Sequence, residues 1–254
     1  MLTKKKLEQI HKNLKLNGFY FLKNKGLFDK KKLTRSLNII KKKCISKFDI
    51  KEDLKNKVKN PLEITNYQRH LIGEYGIGET LRSNNFKQII NPIWSNDIYG
   101  LRDTFIKMIK IRNLLLSQDE NFCVYGPQEN LYSLTRIQYY PSGGGFMSSH
   151  KDIRAENVSR ASEVDSYIQI LLSLSKKNED FKTGGGFIVK NGKRIIHDNK
   201  AELGDIVIYN GKITHGVETI DIDKNLNDDN KKLKGRFALF CNLYRTDFIS
   251  KKKL

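Results

Sequence analysis

Cysteine is scarce in this chain. Cys44, Cys123 and Cys241 are the only three in 254 residues, too few and too scattered for a disulfide framework or a Cys-x-x-Cys metal site, which agrees with a reducing compartment. Proline is scarce too, at four residues, and neither a low-complexity linker nor an internal repeat marks a domain boundary. With 38% hydrophobic residues the chain can bury a substantial core, and its length suits one domain, 1–254, built on a single barrel or sandwich. Long apolar runs are missing: nothing approaches the ~20 residues that a membrane-spanning helix needs. The start, Met1-Leu2-Thr3-Lys4-Lys5-Lys6, leads into charged, helix-like sequence where a signal peptide would carry its apolar core. The expectation is a cytoplasmic protein with no membrane partner.

Acidic residues are also in deficit. Against 47 Lys and Arg there are 28 Asp and Glu, a formal charge of +19. Such an excess reads either as attraction to nucleic acid or another anionic partner, or as a lysine-rich composition spread over a solvated surface. Lys4-Lys5-Lys6, Lys30-Lys31-Lys32, Lys41-Lys42-Lys43 and Lys251-Lys252-Lys253 are dispersed along the chain, which favours the second. The glycine runs 143–145 and 184–186 are followed by neither Lys-Ser/Thr nor a helical pattern, which argues against phosphate loops and leaves them as strand-entry turns.

What is present divides the chain in two. Residues 1–130 read as a mainly helical scaffold with one N-terminal strand. Leu7, Ile10 and Leu14 fall at helical spacing within 3–15, and Gly18 to Lys23 turns to strand chemistry. Asp29 can cap a second helix with Leu33, Leu37, Ile40 and Cys44 on its inner stripe, and a third helix is expected between Ile98 and Leu116, after the Asn91-Pro92 break. Trp94 reads as packing. From 131 to 245 the chain becomes short strands between glycine or asparagine turns, at 131–140, 166–175, 186–190, 193–197, 205–210, 212–218 and 236–244. The expected fold is mainly β with flanking helices, a double-stranded β-helix or jelly roll, in preference to a parallel sheet.

The chemistry gathers at His150-Lys151-Asp152 and His215. Two imidazoles and one carboxylate make the facial set that suits non-haem Fe(II) and leaves positions open for a co-substrate and O₂. Residues i and i+2 project to one side only in an extended segment, so His150 and Asp152 suit one metal only if strand-like. Alone, His-x-Asp recurs by chance; its surroundings give it weight. Upstream, Leu134 to Pro141 is a strand rich in aromatic and β-branched residues. Downstream, Ile206 to Tyr209 is a continuous apolar run, as in a strand buried on both faces. Asn210-Gly211 then reads as a tight hairpin turn, placing His215 on the return strand with Ile213 and Val217 on its face. His11, His70 and His197 read as surface or core residues.

Taken together, these segments resemble the Fe(II)- and 2-oxoglutarate-dependent oxygenases. Gln138-Tyr139-Tyr140-Pro141 resembles the family's Asn-Tyr-Tyr-Pro strand, and Phe146 to Asp152 its iron-binding His-x-Asp segment. Thr183-Gly184-Gly185-Gly186-Phe187 is similar to the double-glycine strand entry, and Gly204-Asp205 to Val217 to the segment with the distal histidine. Gly235-Arg236-Phe237-Ala238-Leu239-Phe240 resembles the next strand, whose arginine holds the far carboxylate of 2-oxoglutarate. The resemblance covers Leu131 to about Arg245, with a fainter echo of the isopenicillin N synthase-like branch at Asn17 to Gly26. Three positions depart from the pattern: Arg236 lies 21 positions after His215, Ala238 stands where many members have serine, and Gln138 replaces asparagine.

The resemblance implies Fe(II) on His150, Asp152 and His215, and 2-oxoglutarate bound by Arg236 with help from Tyr140. It implies O₂ as co-substrate and oxidative decarboxylation to succinate and CO₂, with hydroxylation expected first and desaturation or cyclisation as alternatives. By strand alternation Arg136 and Gln138 share a face with Tyr140, and Arg154 continues the parity of His150 and Asp152; two arginines there would favour a small anionic substrate. The alternatives are an oxygenase acting on nucleic acid or a protein side chain and, in another class, a non-catalytic basic jelly-roll binding protein. No basic stripe interleaved with stacking aromatics accompanies the metal segments, which disfavours nucleic acid as partner.

Overall fold

Among the described residues the chain forms three α-helices and eleven strands. In the computed structural model, residues 2–43, 61–64, 66–71, 86–152, 168–225 and 233–245 are described. Helix α1 (Lys4–Asn17) starts at Thr3, whose hydroxyl accepts from the Lys6 N–H, and stops at Gly18, φ 77°. That left-handed conformation suits glycine, and a Cβ there would also press on Ile213. Strand β1 (Phe19–Leu22) follows. Helix α2 (Lys30–Lys43) is capped by Asp29, whose carboxylate accepts from the N–H groups of Lys31 and Lys32. Its stripe of Leu33, Leu37 and Ile40 is buried; Cys44 lies outside the described residues. Helix α3 (Arg102–Leu115) begins four residues later than the expected Ile98, after turns that follow Pro92.

Among the described residues of 1–130, two strands not read from the sequence accompany the three helices and β1. Strands β2 (Tyr67–Leu71) and β3 (Phe86–Ile90) pair with each other, and β3 pairs with β4 (Leu131–Pro141). Both are five residues long, and a run as short as Phe86-Lys87-Gln88-Ile89-Ile90 carries little periodicity to read. From β4 onward come β5 (Gly145–His150), β6 (Ile168–Ser173), β7 (Gly185–Lys190), β8 (Lys193–Ile196), β9 (Ile206–Asn210), β10 (His215–Ile220) and β11 (Gly235–Arg245). They form two antiparallel sheets, a seven-stranded one ordered β1-β9-β6-β11-β4-β3-β2 and a four-stranded one ordered β5-β10-β7-β8. From β4 to β11 the chain alternates between the sheets except at the β7–β8 hairpin, which lies within the smaller one, and this is the double-stranded β-helix. The glycine runs serve as the turn into β5 and the entry to β7.

One turn differs from its sequence reading. Asn210-Gly211 does not close a hairpin: β9 pairs with β1 and β6, and β10 with β5 and β7. Both edges of β9 are taken, so the chain crosses to the other sheet, where β10 is central. The main core lies between the helices and the outer face of the larger sheet, with Ile10, Leu33, Ile40, Phe105, Met108, Ile137, Phe237 and Leu239. The inner face of that sheet, opposite the smaller sheet, carries the cavity. No described helix is long and apolar enough to cross a membrane.

Candidate functional site

His150 closes β5 and His215 opens β10, and the two stand directly opposite each other in the register. Between the pairs His215–His150 and Val217–Met147, β10 advances two residues while β5 advances three. This bulge turns both Met147 and His150 into the cavity, which strict alternation would forbid. Asp152 comes two residues after His150, and its N–H donates to the Gly211 carbonyl at 3.0 Å, so the segment stays beside the start of β10 past the end of the ladder.

The two imidazole rings lie 4.3 Å apart between centroids. Asp152 Oδ1 is 3.8 Å from His150 Nε2, and Asp152 Oδ2 is 3.3 Å from His215 Nε2. One ligand atom from each residue lies within 4.8 Å of the others. Two donors about 2.1 Å from one metal, at angles of about 90–110°, are themselves roughly 3–3.5 Å apart, so the spacing is close to that of a ligand set. Nδ1 of His150 lies 2.8 Å from the Ser148 carbonyl, and Nδ1 of His215 lies 3.0 Å from the Ile213 carbonyl. A carbonyl only accepts, so each Nδ1 carries the proton and each Nε2 turns a lone pair toward Asp152.

Behind this group stands a polar chain. Gln169 on β6 donates from Nε2 to Asp152 Oδ2 at 2.8 Å, and Asn242 on β11 donates from Nδ2 to Gln169 Oε1. Gln169 and Asn242 are both buried, and the Tyr209 ring packs 4.6 Å from that of His215. Neither Gln169 nor Asn242 is singled out by sequence reasoning. Strand parity along β6 carries the available signal, a glutamine alternating with Leu171 on a face that should be apolar.

The same cavity is lined farther in by Arg136, Gln138, Tyr140, Phe187, His197 and Arg236. Arg236 on β11 sits opposite Tyr140 on β4, its guanidinium 5.4 Å from the centre of the Tyr140 ring. Arg236 is 2% exposed; its Nε donates to Asp198 Oδ2 at 2.5 Å, while Nη1 has no hydrogen-bond partner. Burial alone would draw protons off this guanidinium, and the Asp198 carboxylate outweighs it, keeping the group charged. Tyr140 donates its hydroxyl to Gln138 Oε1 at 2.8 Å. Arg136 donates from Nη1 to the Tyr244 hydroxyl at 2.5 Å and lies over the rings of Phe240 and Tyr244. Arg154 lies outside the described residues. His197, read from sequence as a surface or core residue, is buried and also lines the cavity.

Neither protein-family models nor curated protein sequences match this chain. Solved structures do. A prolyl hydroxylase from Trichoplax adhaerens, in complex with a hypoxia inducible factor oxygen degradation domain peptide fragment, aligns with a TM-score of 0.54 at 12% identity over 94% of this chain and 89% of that one. The epimerase SnoN, in complex with Fe3+, alpha ketoglutarate and nogalamycin RO, gives 0.54 at 10% identity over 97% and 89%. EctD from S. alaskensis, with 2-oxoglutarate and 5-hydroxyectoine, gives 0.53 at 9% identity over 96% and 76%. At these identities the likeness is one of fold: the chain shares the jelly roll of these structures.

Proposed function

We propose that this chain is a non-haem Fe(II)- and 2-oxoglutarate-dependent oxygenase that hydroxylates a small anionic molecule, with His150, Asp152 and His215 holding the iron. The observation that carries the reading is the convergence, in one cavity, of this three-residue donor set with a buried arginine whose Nη1 lacks a partner. Nitrogen and carboxylate donors on three positions suit Fe(II) with open sites, and an unmet guanidinium donor suits an incoming carboxylate. Bound together, iron and 2-oxoglutarate would let O₂ act as the oxidant, one oxygen atom ending in succinate as CO₂ leaves and the other in the hydroxylated product.

The chain's own residues position and shield. The carbonyls of Ser148 and Ile213 fix the tautomer of each imidazole, and Gln169 occupies Asp152 Oδ2, leaving Oδ1 as the less encumbered donor. Arg236 presents its fork to the far carboxylate of 2-oxoglutarate. Tyr140 supports that fork through its ring, because its hydroxyl is already given to Gln138. Leu171, Phe187, Ile188, Val217 and Phe240 line the remaining wall and exclude water. Arg136, on the same inner face and one strand from Phe240, is the group toward which a substrate anion would be drawn. The structural likenesses include one protein in complex with a peptide and one with a small organic molecule, so both classes belong in the test.

Succinate formation from 2-oxoglutarate with Fe(II) and O₂, screened against small carboxylates and phosphates, peptides and single-stranded nucleic acid, tests the reading. Stimulation by a small anion is expected, and its loss in Arg136→Gln with substrate-free 2-oxoglutarate consumption retained. Succinate production at an unaltered rate by His215→Ala would sink the assignment.

A further inference from the structure

The inner end of the cavity holds more ionisable groups than one arginine site needs. Asp198 follows β8 in a single 3-10 turn, His197–Asn199. Its Oδ2 accepts from Arg236 Nε and, at 2.6 Å, from the Gly186 N–H, and its Oδ1 lies 3.1 Å from His197 Nδ1. Burial would push the Asp198 carboxyl up, but Arg236 and His197 beside it hold it well below the usual carboxylate range. Arg236 and Asp198 are therefore an ion pair with no net charge.

Two buried nitrogens at this end lack a hydrogen bond, Arg236 Nη1 and His197 Nδ1; the approach of His197 to its neighbour Asp198 is close but poorly aligned. The two side chains meet over Gly186. A Cβ at that position would fall 2.4 Å from His197 Nε2 and 2.6 Å from Arg236 Nη2, so only glycine lets the imidazole and guanidinium come together here. Both line the cavity.

Charge counting then constrains how an anion can bind. A carboxylate reaching the neutral Arg236–Asp198 pair would leave one uncompensated negative charge in a buried space, which is costly. A proton on His197 restores neutrality and makes both ring nitrogens donors. Among the described residues, the other ionisable groups lining the cavity are Arg136 and Tyr140 from β4, Tyr209 from β9 and the set His150, Asp152 and His215; of these only Tyr140 and Tyr209 act on Arg236, and Arg136 is turned to the Tyr244 hydroxyl and the Phe240 ring. Phe21 from β1 contributes an apolar ring 6.3 Å from the imidazole. Lys177 binds the Gly184 carbonyl and the exposed Asn199 Oδ1. None of these adds a cation at the Arg236–Asp198 pair itself.

We propose that His197, as the imidazolium, is a second anion-binding residue that grips the far carboxylate of the co-substrate together with Arg236, so that each co-substrate bound takes up one proton. Only the identity of the anion, 2-oxoglutarate, rests on the proposed function. Asp198 acts as the fixed counter-charge: it aims Arg236 and makes the imidazole's proton necessary for binding.

Calorimetric binding of 2-oxoglutarate to the full chain saturated with Mn(II), in two buffers of different ionisation heat, reads the proton directly. The expected uptake is about one proton per 2-oxoglutarate at about pH 8.5, shrinking toward zero at about pH 5.5, with affinity weakening about tenfold per pH unit on the alkaline side. His197→Asn should show no uptake and little pH dependence, and should bind at least about tenfold more weakly than the unaltered chain at about pH 6. His197→Gln provides a second replacement, and if neither variant folds, uptake by the unaltered chain decides. Absence of uptake there, or a His197→Asn protein that keeps the full pH dependence, overturns the proposal. Failure of 2-oxoglutarate to bind at any pH would instead overturn the proposed function, and this assignment with it.

Discussion

Arg112 and Arg236 are the two largest side chains wholly buried in the described structure, at 1% and 2% exposure, yet they face opposite sides of the same sheet. Arg112 belongs to α3, on the helix-covered face. It is met there by Asn113 Oδ1, Ser133 Oγ and the Cys241 carbonyl, and none of its buried nitrogens is left without an acceptor. Arg236 faces the cavity, pairs with one carboxylate and keeps Nη1 unmet. Burial alone therefore does not distinguish a structural cation from a binding one. The hydrogen-bond account does: a saturated arginine is finished when the chain folds, and one with an idle donor beside a cavity is finished by a ligand.

The comparison between helix-packed face and cavity face can be broken by substitution. The largest effect should come from the cavity: His150→Ala or His215→Ala should lose Fe(II)-dependent succinate formation entirely while keeping the far-ultraviolet circular dichroism of the unaltered chain, since three ligands become two. Next, Arg236→Ala should raise the 2-oxoglutarate concentration needed for half-maximal turnover by about 100-fold or more, and Arg236→Lys should recover only part, because an ammonium keeps the charge but not the fork. Arg112→Met should do the reverse, lowering stability to urea by about 3 kcal/mol, as its buried acceptors lose their donors, with the 2-oxoglutarate requirement unchanged. If Arg112→Met shifted that requirement and Arg236→Lys did not, the division of labour drawn here would be wrong.

Two smaller effects sharpen the same contrast. Gln169→Leu leaves the three proposed ligands in place but frees Asp152 Oδ2, so apparent Fe(II) affinity, followed by metal titration, should fall by about tenfold. Asp221, at the end of β10, is structural. Burial would raise its carboxyl, but the Ser142 hydroxyl, Lys224 and the N–H groups of Thr183 and Lys182 hold it far below the usual range. A carboxyl lowered on folding contributes stability above its unfolded pKa and loses it as pH falls. Asp221→Asn should therefore be less stable than the parent near pH 7, and the gap should narrow below about pH 4, as urea midpoints at the two pH values would show.

Most strands of the jelly roll are legible through a continuous apolar run or a glycine entry, as in Ile206 to Tyr209 and Gly184 to Phe187; β5 (Gly145–His150) is not among the strands read from sequence, its Ser148-Ser149 pair lacking strand chemistry. The crossover at Asn210-Gly211 is not legible either, because a turn dipeptide reports local backbone preference and says nothing of which sheet receives the next strand. Likewise β2 and β3 are too short to declare themselves against a helical background. At the site, His150, Asp152 and His215 stand out because their residue types are rare on strands at that spacing. Gln169, Asn242, His197 and Asp198 are brought in by sheet register and by the turn after β8, over separations of tens of residues that no local pattern encodes.

The hydrogen bonds from the two imidazoles to Ser148 and Ile213 share one construction. In each case the accepting carbonyl belongs to the residue two before the histidine. The aim of each ring is thus written into its own strand, independently of any neighbouring side chain, and survives any substitution at Ser148 or Ile213 that leaves the backbone path intact. A donor set built this way is portable: a tripeptide ending in histidine, laid on another antiparallel sheet with the same bulge, would carry its orientation with it and need only a carboxylate at its side.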